Sequence, residues 1–196
     1  KPQMFEKVID EINDSLDNDK VIISLAPGFT ITQLKEKLKA GRIVRSMPNT
    51  PAMIGEGMTG VCFDENEFDE NEIDVINKIF EATGKAKKVD EKLMNSVVCA
   101  SGSSPAYVFM FIEALADSAV KCGLPRKDAY EFVAQTVLGS AKLMLETGKH
   151  PGELKDMVCS PGGTTIAGVA ELEKNGFRKA IFEATDACFN KCNNIK

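Results

Sequence analysis

The chain has only one histidine, His150, and none of its six cysteines is paired in a C-x-x-C spacing. Structural metal sites usually need four such ligands at short, regular intervals, so the sequence predicts no bound metal. With one histidine, the sequence also offers no Ser/His/Asp catalytic triad. Because His150 is followed by Pro151 and Gly152 at the entry to a predicted helix, we interpret it as structural rather than catalytic.

Basic residues are also in short supply, and no block of them occurs. Lysine and arginine number 24 against 29 acidic residues in 196, a net charge of -5. This balance argues against nucleic acid and anionic membranes as partners. No long apolar run or signal peptide is evident, so we expect no transmembrane helix and reduced cysteines in a cytoplasmic protein.

The N-terminal part alternates helical and strand patterns. A helix is predicted from Gln3 to about Asp17, the apolar run 21–26 resembles a buried strand, and 42–47 is predicted to be a second strand. Thr30 and Gln33 between them form a capping-box signature. In such βαβ sheets ligands bind at the carboxyl ends of strands, here Leu25-Ala26-Pro27 and Met47-Pro48-Asn49.

Two tempting motifs in this part are set aside. Residues 55–60 match G-x-G-x-x-G, but they follow a proline-rich loop and lead into a strand, whereas a phosphate-binding loop follows a strand and opens a helix. The acidic stretch 64–72 lacks the spacing and glycine of an EF-hand. We predict instead that its carboxylates favour the N-terminus of a helix over about 69–83.

From residue 90 onward the patterns are helical, and we predict a domain boundary there. A turn is expected at Ser101–Ser104, followed by a helix that ends at Gly123. Residues 107–112 of this helix are apolar on every side, which predicts burial in an intimate dimer. Further helices are expected over 126–147, 164–174 and 177–190.

The stretch 159–166 combines a proline, two glycines, Thr164 and Thr165 just before a helix. Unpaired N–H groups at such a junction suit a small carboxylate or phosphate. We also expect Thr164 or Thr165 to cap the helix, and the two interpretations are compatible because a capped helix start presents its N–H groups.

Several motifs together resemble the pyrroline-5-carboxylate reductase family over nearly the whole chain. They are Lys1-Pro2-Gln3, Met47-Pro48-Asn49-Thr50-Pro51, Gly57-Met58-Thr59-Gly60, Ser101-Gly102-Ser103-Ser104-Pro105-Ala106-Tyr107, Gly123-Leu124-Pro125-Arg126, His150-Pro151-Gly152-Glu153-Leu154 and Ser160-Pro161-Gly162-Gly163-Thr164-Thr165-Ile166-Ala167-Gly168. The resemblance implies an α/β partial Rossmann-like domain over residues 1–90, followed by an all-α dimerisation and substrate-binding domain over 91–196. It implies a homodimer or larger homo-oligomer.

The implied reaction is hydride transfer from NADPH or NADH to the imine carbon of pyrroline-5-carboxylate, which gives proline. By similarity the catalytic residue is Thr165, whose hydroxyl reaches the ring nitrogen. The implied substrate-binding residues are Glu91, Ser160, Gly162, Gly163, Thr164 and Thr165. The implied cofactor-binding residues are Lys1, Pro2, Leu25, Ala26, Pro27 and Asn49.

The chain opens without an initiator methionine and without the family's glycine-rich cofactor loop, so we expect the chain alone to be dimeric but inactive. Two alternatives stay open. One is a related β-hydroxyacid-dehydrogenase-like reductase, which uses a catalytic lysine after the boundary, although no lysine lies in Ser101–Ser104. The other is a non-catalytic oligomerisation module.

Overall fold

The computed structural model describes residues 4–194. Its strands are β1 (Val21–Ser24), β2 (Arg42–Met47), β3 (Gly57–Cys62) and β4 (Gly84–Lys88). Its α-helices are α1 (Phe5–Ile12), α2 (Ile31–Lys37), α3 (Glu70–Glu81), α4 (Met94–Val97), α5 (Ser104–Lys121), α6 (Arg126–Thr147), α7 (Pro151–Met157), α8 (Thr164–Lys174) and α9 (Phe177–Asn193). The described residues after β4 form helices and connections only, as the sequence predicted.

The strands form one sheet in the order β1-β2-β3-β4. β1 and β2 are parallel, with Val21 opposite Arg42. β3 turns back antiparallel to β2, because a short loop and a 3₁₀ turn (Thr50–Ile54) join them in place of a crossover helix. β4 is parallel to β3 and reaches it through α3. The sheet is therefore mixed.

The core lies on both faces of this sheet. Neighbouring β2 residues point to opposite faces, so Ile43 packs with Leu34 and Leu38 of the α2 side, and Val44 packs with residues of the α3 side. Both Ile43 and Val44 are fully buried. This explains why the neighbouring residues Ile43 and Val44 are both apolar, since each faces a packed side of the sheet.

Two helix starts follow the sequence signals closely. Thr30 caps α2 and exchanges hydrogen bonds with Gln33, the capping box that the sequence predicted. Asp69 caps α3 in the same way with Glu72. Part of the acidic stretch thus serves a helix start, which confirms that interpretation over a calcium loop.

The G-x-G-x-x-G match lies in β3, so the rejection of a phosphate loop is confirmed. Gly57 of this match, and Gly84 opposite it on β4, are needed for close packing of backbone instead. A Cβ on Gly57 would lie 2.7 Å from the Thr83 carbonyl oxygen, and one on Gly84, whose φ is +135°, only 2.2 Å from the Gly57 oxygen. The β3–β4 pair therefore accepts no side chain at these two positions.

The predicted turn at Ser101–Ser104 is wrong, because this segment is helical. Val98–Gly102 forms a π-helical turn, with the Ser103 N–H bonded to the Val98 carbonyl at 2.8 Å. Pro105 has no N–H to bond the Ser101 carbonyl, and the Ser104 hydroxyl bonds back to Ala100 at 2.7 Å. A π turn accommodates both features without ending the helix.

The helical run Glu91–Lys121 is long and apolar enough, by length and composition alone, to cross a membrane. The sequence pattern did not suggest such a span. Its residues Phe109 and Met110 are 60% and 68% exposed in the single chain, so the predicted burial on every side does not occur within one copy. A helix that a second copy covers has the same composition.

The chain divides into two compact units. The first contains the sheet and extends to Pro105, together with residues from Thr185 onward; the second is Ala106–Ala184. The domain boundary expected at residue 90 stays a prediction.

Candidate functional site

The carboxyl ends of β1 and β2 meet at one edge of the sheet because these strands are parallel. Leu25, Ala26 and Pro27 follow β1, and Asn49 follows β2. The structure thus brings together four of the residues for which we predicted cofactor binding. The other two, Lys1 and Pro2, lie outside the described residues.

Asn49 is fixed by a contact across its loop. Its side-chain Oδ1 accepts a hydrogen bond from the Met58 N–H of β3 at 2.9 Å, and its backbone precedes the 3₁₀ turn. On β1, the Ala26 N–H donates to Ser24 Oγ at 3.3 Å. Both loops are therefore tied to the strands beside them, which gives this edge a defined shape.

Leu25, Ala26 and Pro27 line an apolar cleft between this edge and α1. Leu25 is 57% exposed at its rim. The remaining lining is almost entirely aliphatic or aromatic: Met4, Phe5, Val8, Ile9, Ile12, Ile22, Ile23, Ser24 and Leu38. Such a surface suits a flat ring, whereas phosphate groups would need hydrogen-bond donors that this lining does not supply.

Glu91 takes part in a different network of the first unit. Its Oε1 accepts from the Ile31 N–H at 2.6 Å and lies 3.2 Å from Nη1 of Arg45. Arg45 is only 4% exposed, so its charge depends on this carboxylate for neutralisation. Glu91 thus secures both the start of α2 and the buried arginine, and its role toward a substrate stays a prediction.

Sequence reasoning missed Arg45, although one signal was available. Arg45 directly follows the apolar pair Ile43-Val44 within the predicted strand 42–47, where a buried charged residue requires a partner. Together with Glu91 it lines a polar cleft of about 400 Å³. The other lining residues are Gly28, Thr30, Lys92, Asn95, Cys192 and Asn193.

The second unit holds the loop before α8, which contains the predicted substrate residues. The Gly163 N–H bonds to the Ser160 carbonyl at 3.0 Å, and Gly162 has φ +68°, a conformation that favours glycine. The first bond of α8 runs from the Ala167 N–H to the Gly163 carbonyl at 3.4 Å. Ser160, Gly162, Gly163, Thr164 and Thr165 are thus brought together in one turn.

The expectation that a threonine caps α8 is wrong. Gly163 occupies the N-cap position in extended conformation, and no side chain bonds to the first turn. Thr164 is already the first helical residue, so its hydroxyl is past the position from which a cap acts. A Cβ at 163 would lie 2.5 Å from the Ser160 hydroxyl, which explains the glycine.

This correction strengthens the anion-binding interpretation. With no side-chain cap, the N–H groups of Thr164, Thr165 and Ile166 donate to no acceptor among the described residues. They lie at the positive end of an 11-residue helix, and both threonines are exposed. A carboxylate can be held by these N–H groups while the hydroxyls remain free for a second ligand atom.

His150 is structural, as the sequence predicted. Its Nδ1 accepts a hydrogen bond from the Gly152 N–H at 3.1 Å and so caps α7. Within residues 4–194, the structure contains no group of three or more histidine, cysteine and acidic side chains that could hold a metal ion.

Comparison with known sequences gives a consistent result. The family described as pyrroline-5-carboxylate reductase dimerisation matches residues 91–195. The pyrroline-5-carboxylate reductase of Escherichia coli (strain K12) is 53% identical over 192 residues, which span 97% of this chain and 71% of that protein. The Arabidopsis thaliana enzyme of the same name is 46% identical, over 95% of this chain and 67% of its own length.

Solved structures agree. The structure of Plasmodium falciparum pyrroline carboxylate reductase with NADP bound matches with a TM-score of 0.90 and 35% identity, over 99% of this chain and 78% of that one. A pyrroline-5-carboxylate reductase from Coxiella burnetii matches with a TM-score of 0.88 and 34% identity, over 100% and 73% of the two chains.

Proposed function

The chain belongs to the pyrroline-5-carboxylate reductase family, and we propose that it reduces 1-pyrroline-5-carboxylate to L-proline with NADPH or NADH. The observation that carries this proposal is the 53% identity to a named reductase across 97% of the chain. The uncapped start of α8 adds a physical reason, since the substrate carries a carboxylate that free N–H groups can bind.

The start of α8 has two tasks in this proposal. The N–H groups of Thr164 and Thr165 hold the carboxylate, and the turn Ser160–Gly163 shapes the approach to them. The Thr165 hydroxyl, one residue along the exposed turn, hydrogen-bonds to the ring nitrogen and helps to keep the imine protonated. A protonated imine accepts hydride readily, so positioning and charge stabilisation matter more than a strong base.

The nicotinamide cofactor supplies the hydride when it is bound. The apolar cleft beside Leu25, Ala26 and Pro27 fits the ring portion of such a cofactor, with Asn49 at the adjoining strand end. Lys1 and Pro2 belong to the same proposed site. These residues orient the ring and exclude water from it.

Glu91 is a proposed substrate-binding residue, and its bonds to Arg45 and the Ile31 N–H suggest how it acts. Its carboxylate fixes Arg45 in the wall of the polar cleft and so keeps that wall in one arrangement. We propose that any effect of Glu91 on substrate arises together with this structural role.

A homodimer or larger homo-oligomer is part of the proposal. The second unit exposes several large apolar side chains that solvent disfavours: Phe109, Met110, Phe132, Leu138, Leu145 and Phe182. The division into a cofactor domain over 1–90 and a dimerisation domain over 91–196 is likewise proposed, and the family match over 91–195 supports it. We propose the cytoplasm as the compartment, because all six cysteines lie in the described residues and none forms a disulfide.

The deciding experiment is an assay of NADPH and NADH oxidation with pyrroline-5-carboxylate on the full-length gene product. We expect saturable turnover with stoichiometric formation of proline, measured by amino-acid analysis. Replacing pyrroline-5-carboxylate with a β-hydroxyacid provides the control for the related reductases. Turnover of the hydroxyacid alone, or no turnover of either compound, would contradict the proposal.

A further inference from the structure

Two helical segments of the first unit lie side by side where the chain passes to the second unit and returns. The chain leaves after Pro105 and re-enters at Thr185. The Asn95 amide donates to Asn193 Oδ1 at 2.9 Å, and the Cys188 thiol donates to Ser103 Oγ at 3.3 Å. Since 95 meets 193 and 103 meets 188, the two segments run antiparallel.

Three cysteines occupy the space between these contacts. Cys99 lies on the π turn between Asn95 and Ser103, and Cys188 and Cys192 are one turn apart on α9. The Cys99 thiol lies close enough to Cys188 and Cys192 for both of them to raise its pKa. Cys99 and Cys192 are buried and Cys188 is half-buried.

We propose that this thiol cluster is a redox switch: a hydroperoxide converts Cys99 and Cys188 into a disulfide that joins the two segments. The link would tie together the outgoing and returning stretches of the chain within the first unit. This inference does not depend on the proposed reductase function.

Cys188 reacts first. Burial, followed by the neighbouring Cys188 and Cys192, raises the pKa of Cys99 to about 12, and burial likewise raises the pKa of Cys192. Both thiols therefore stay protonated at neutral pH, so neither reacts with peroxide before Cys188 does. Cys188 is the most accessible of the three, so peroxide meets it before the others.

The chemistry balances with one hydroperoxide. An oxygen atom is transferred to the Cys188 sulfur, which becomes a sulfenic acid while the peroxide leaves as water or an alcohol. The Cys99 sulfur then attacks the Cys188 sulfur, the S–O bond breaks, and the Cys99 proton departs with that oxygen as water. The two thiols lose two electrons in total, and the hydroperoxide gains them.

Cys99 is a better partner for Cys188 than Cys192 is. Side chains four residues apart on one helix have Cβ atoms roughly 5–6 Å apart. A disulfide needs a Cβ separation of about 3.5–4.5 Å, so a Cys188–Cys192 bond would distort α9. Cys99 approaches from another segment and carries no such restriction.

The test is mild hydrogen peroxide treatment of the purified full chain, followed by non-reducing peptide mapping and thermal unfolding. We expect a Cys99–Cys188 linked peptide and a rise in Tm of at least about 5 °C, because the link closes a long loop. Dithiothreitol should reverse both changes. Cys188→Ser should abolish them, whereas the control Cys122→Ser, at an exposed cysteine, should not.

A linked peptide joining Cys188 to Cys192, disulfides between chains only, or oxidation confined to Cys122 and Cys159 would each overturn the proposal. A linked peptide without a reversible rise in Tm would also overturn it, since the disulfide would then not stabilise the packing of the two segments. The peptide map of the wild-type chain decides the question even where a variant fails to fold.

Discussion

At the scale of single residues, the start of α8 shows how one position decides the chemistry of its neighbours. Glycine takes the N-cap at 163, so Thr164 and Thr165 enter the helix with hydroxyls that no cap requires. A serine or aspartate at 163 would satisfy the same N–H groups that we propose for the substrate. The absence of a cap is therefore an advantage for binding at the cost of helix stability.

We predict that Thr165→Ala lowers kcat of the full-length enzyme by about 10²-fold, the lower range for loss of one proton-positioning group. KM should change far less, because the backbone N–H groups that hold the carboxylate remain. Steady-state kinetics with pyrroline-5-carboxylate measures both constants. Thr165→Ser should recover most of kcat, and Thr147→Ala, at the end of α6, serves as a control. An unchanged kcat in Thr165→Ala would rule out the proposed role.

Glu91→Gln tests the buried arginine. The amide can still accept from the Ile31 N–H but leaves the buried Arg45 without a countercharge, so we expect a loss of about 1–3 kcal/mol in the free energy of unfolding. Denaturant unfolding followed by circular dichroism gives the value. Asp90→Asn breaks an exposed pair with Lys92 and should cost under about 0.5 kcal/mol. Equal effects of the two variants would refute the importance of the Arg45 pair.

At the scale of secondary structure, the limits of a helix can be predicted from the sequence where the residues that start or end it are close neighbours in the chain. The capping box at Thr30 was located from the sequence alone, because it involves residues three apart, and so were the start of α3 near Asp69 and the end of α6 before Gly148. The π turn at 98–102 differs, because Pro105 and two serine hydroxyls act together on a helix that a simple pattern would end.

The β3–β4 pair provides a prediction at this scale. Gly84→Ala should lower the free energy of unfolding by more than about 3 kcal/mol, because its Cβ would collide with backbone atoms of Gly57 and its φ is +135°. Thermal and denaturant unfolding measure the change. Gly41→Ala is the control: its Cβ would meet nothing closer than 3.7 Å, so stability should stay within about 0.5 kcal/mol. A mild effect at Gly84 would show that the strands can separate at little cost.

At the scale of the whole molecule, the exposed apolar face of the second unit requires an explanation. Phe109 and Met110 lie on α5 with more than half of each residue in solvent. The match to a dimerisation family covers the same helices. A second copy that covers α5 removes this apolar surface from water and accounts for the composition of the helical run Glu91–Lys121.

We predict that Phe109→Asp weakens the dimer by at least about 30-fold in Kd, as expected when a charge replaces a buried aromatic residue at an interface. Sedimentation velocity across a dilution series measures the constant. Val75→Asp places the same charge on an exposed position of α3 in the first unit and should leave the constant unchanged. A dimer that tolerates Phe109→Asp would place the interface on another face.

The sequence by itself determined the features that depend on short separations: the helix and strand content of each half, most helix limits, and the rejection of residues 55–60 as a phosphate loop. Only the tertiary structure decided the features that join distant residues. Arg45 and Glu91 are 46 positions apart, and Cys99 meets Cys188 only because two segments pack antiparallel. Local pattern carries no information on such pairs, since their free energy arises from burial and contact after the chain has folded.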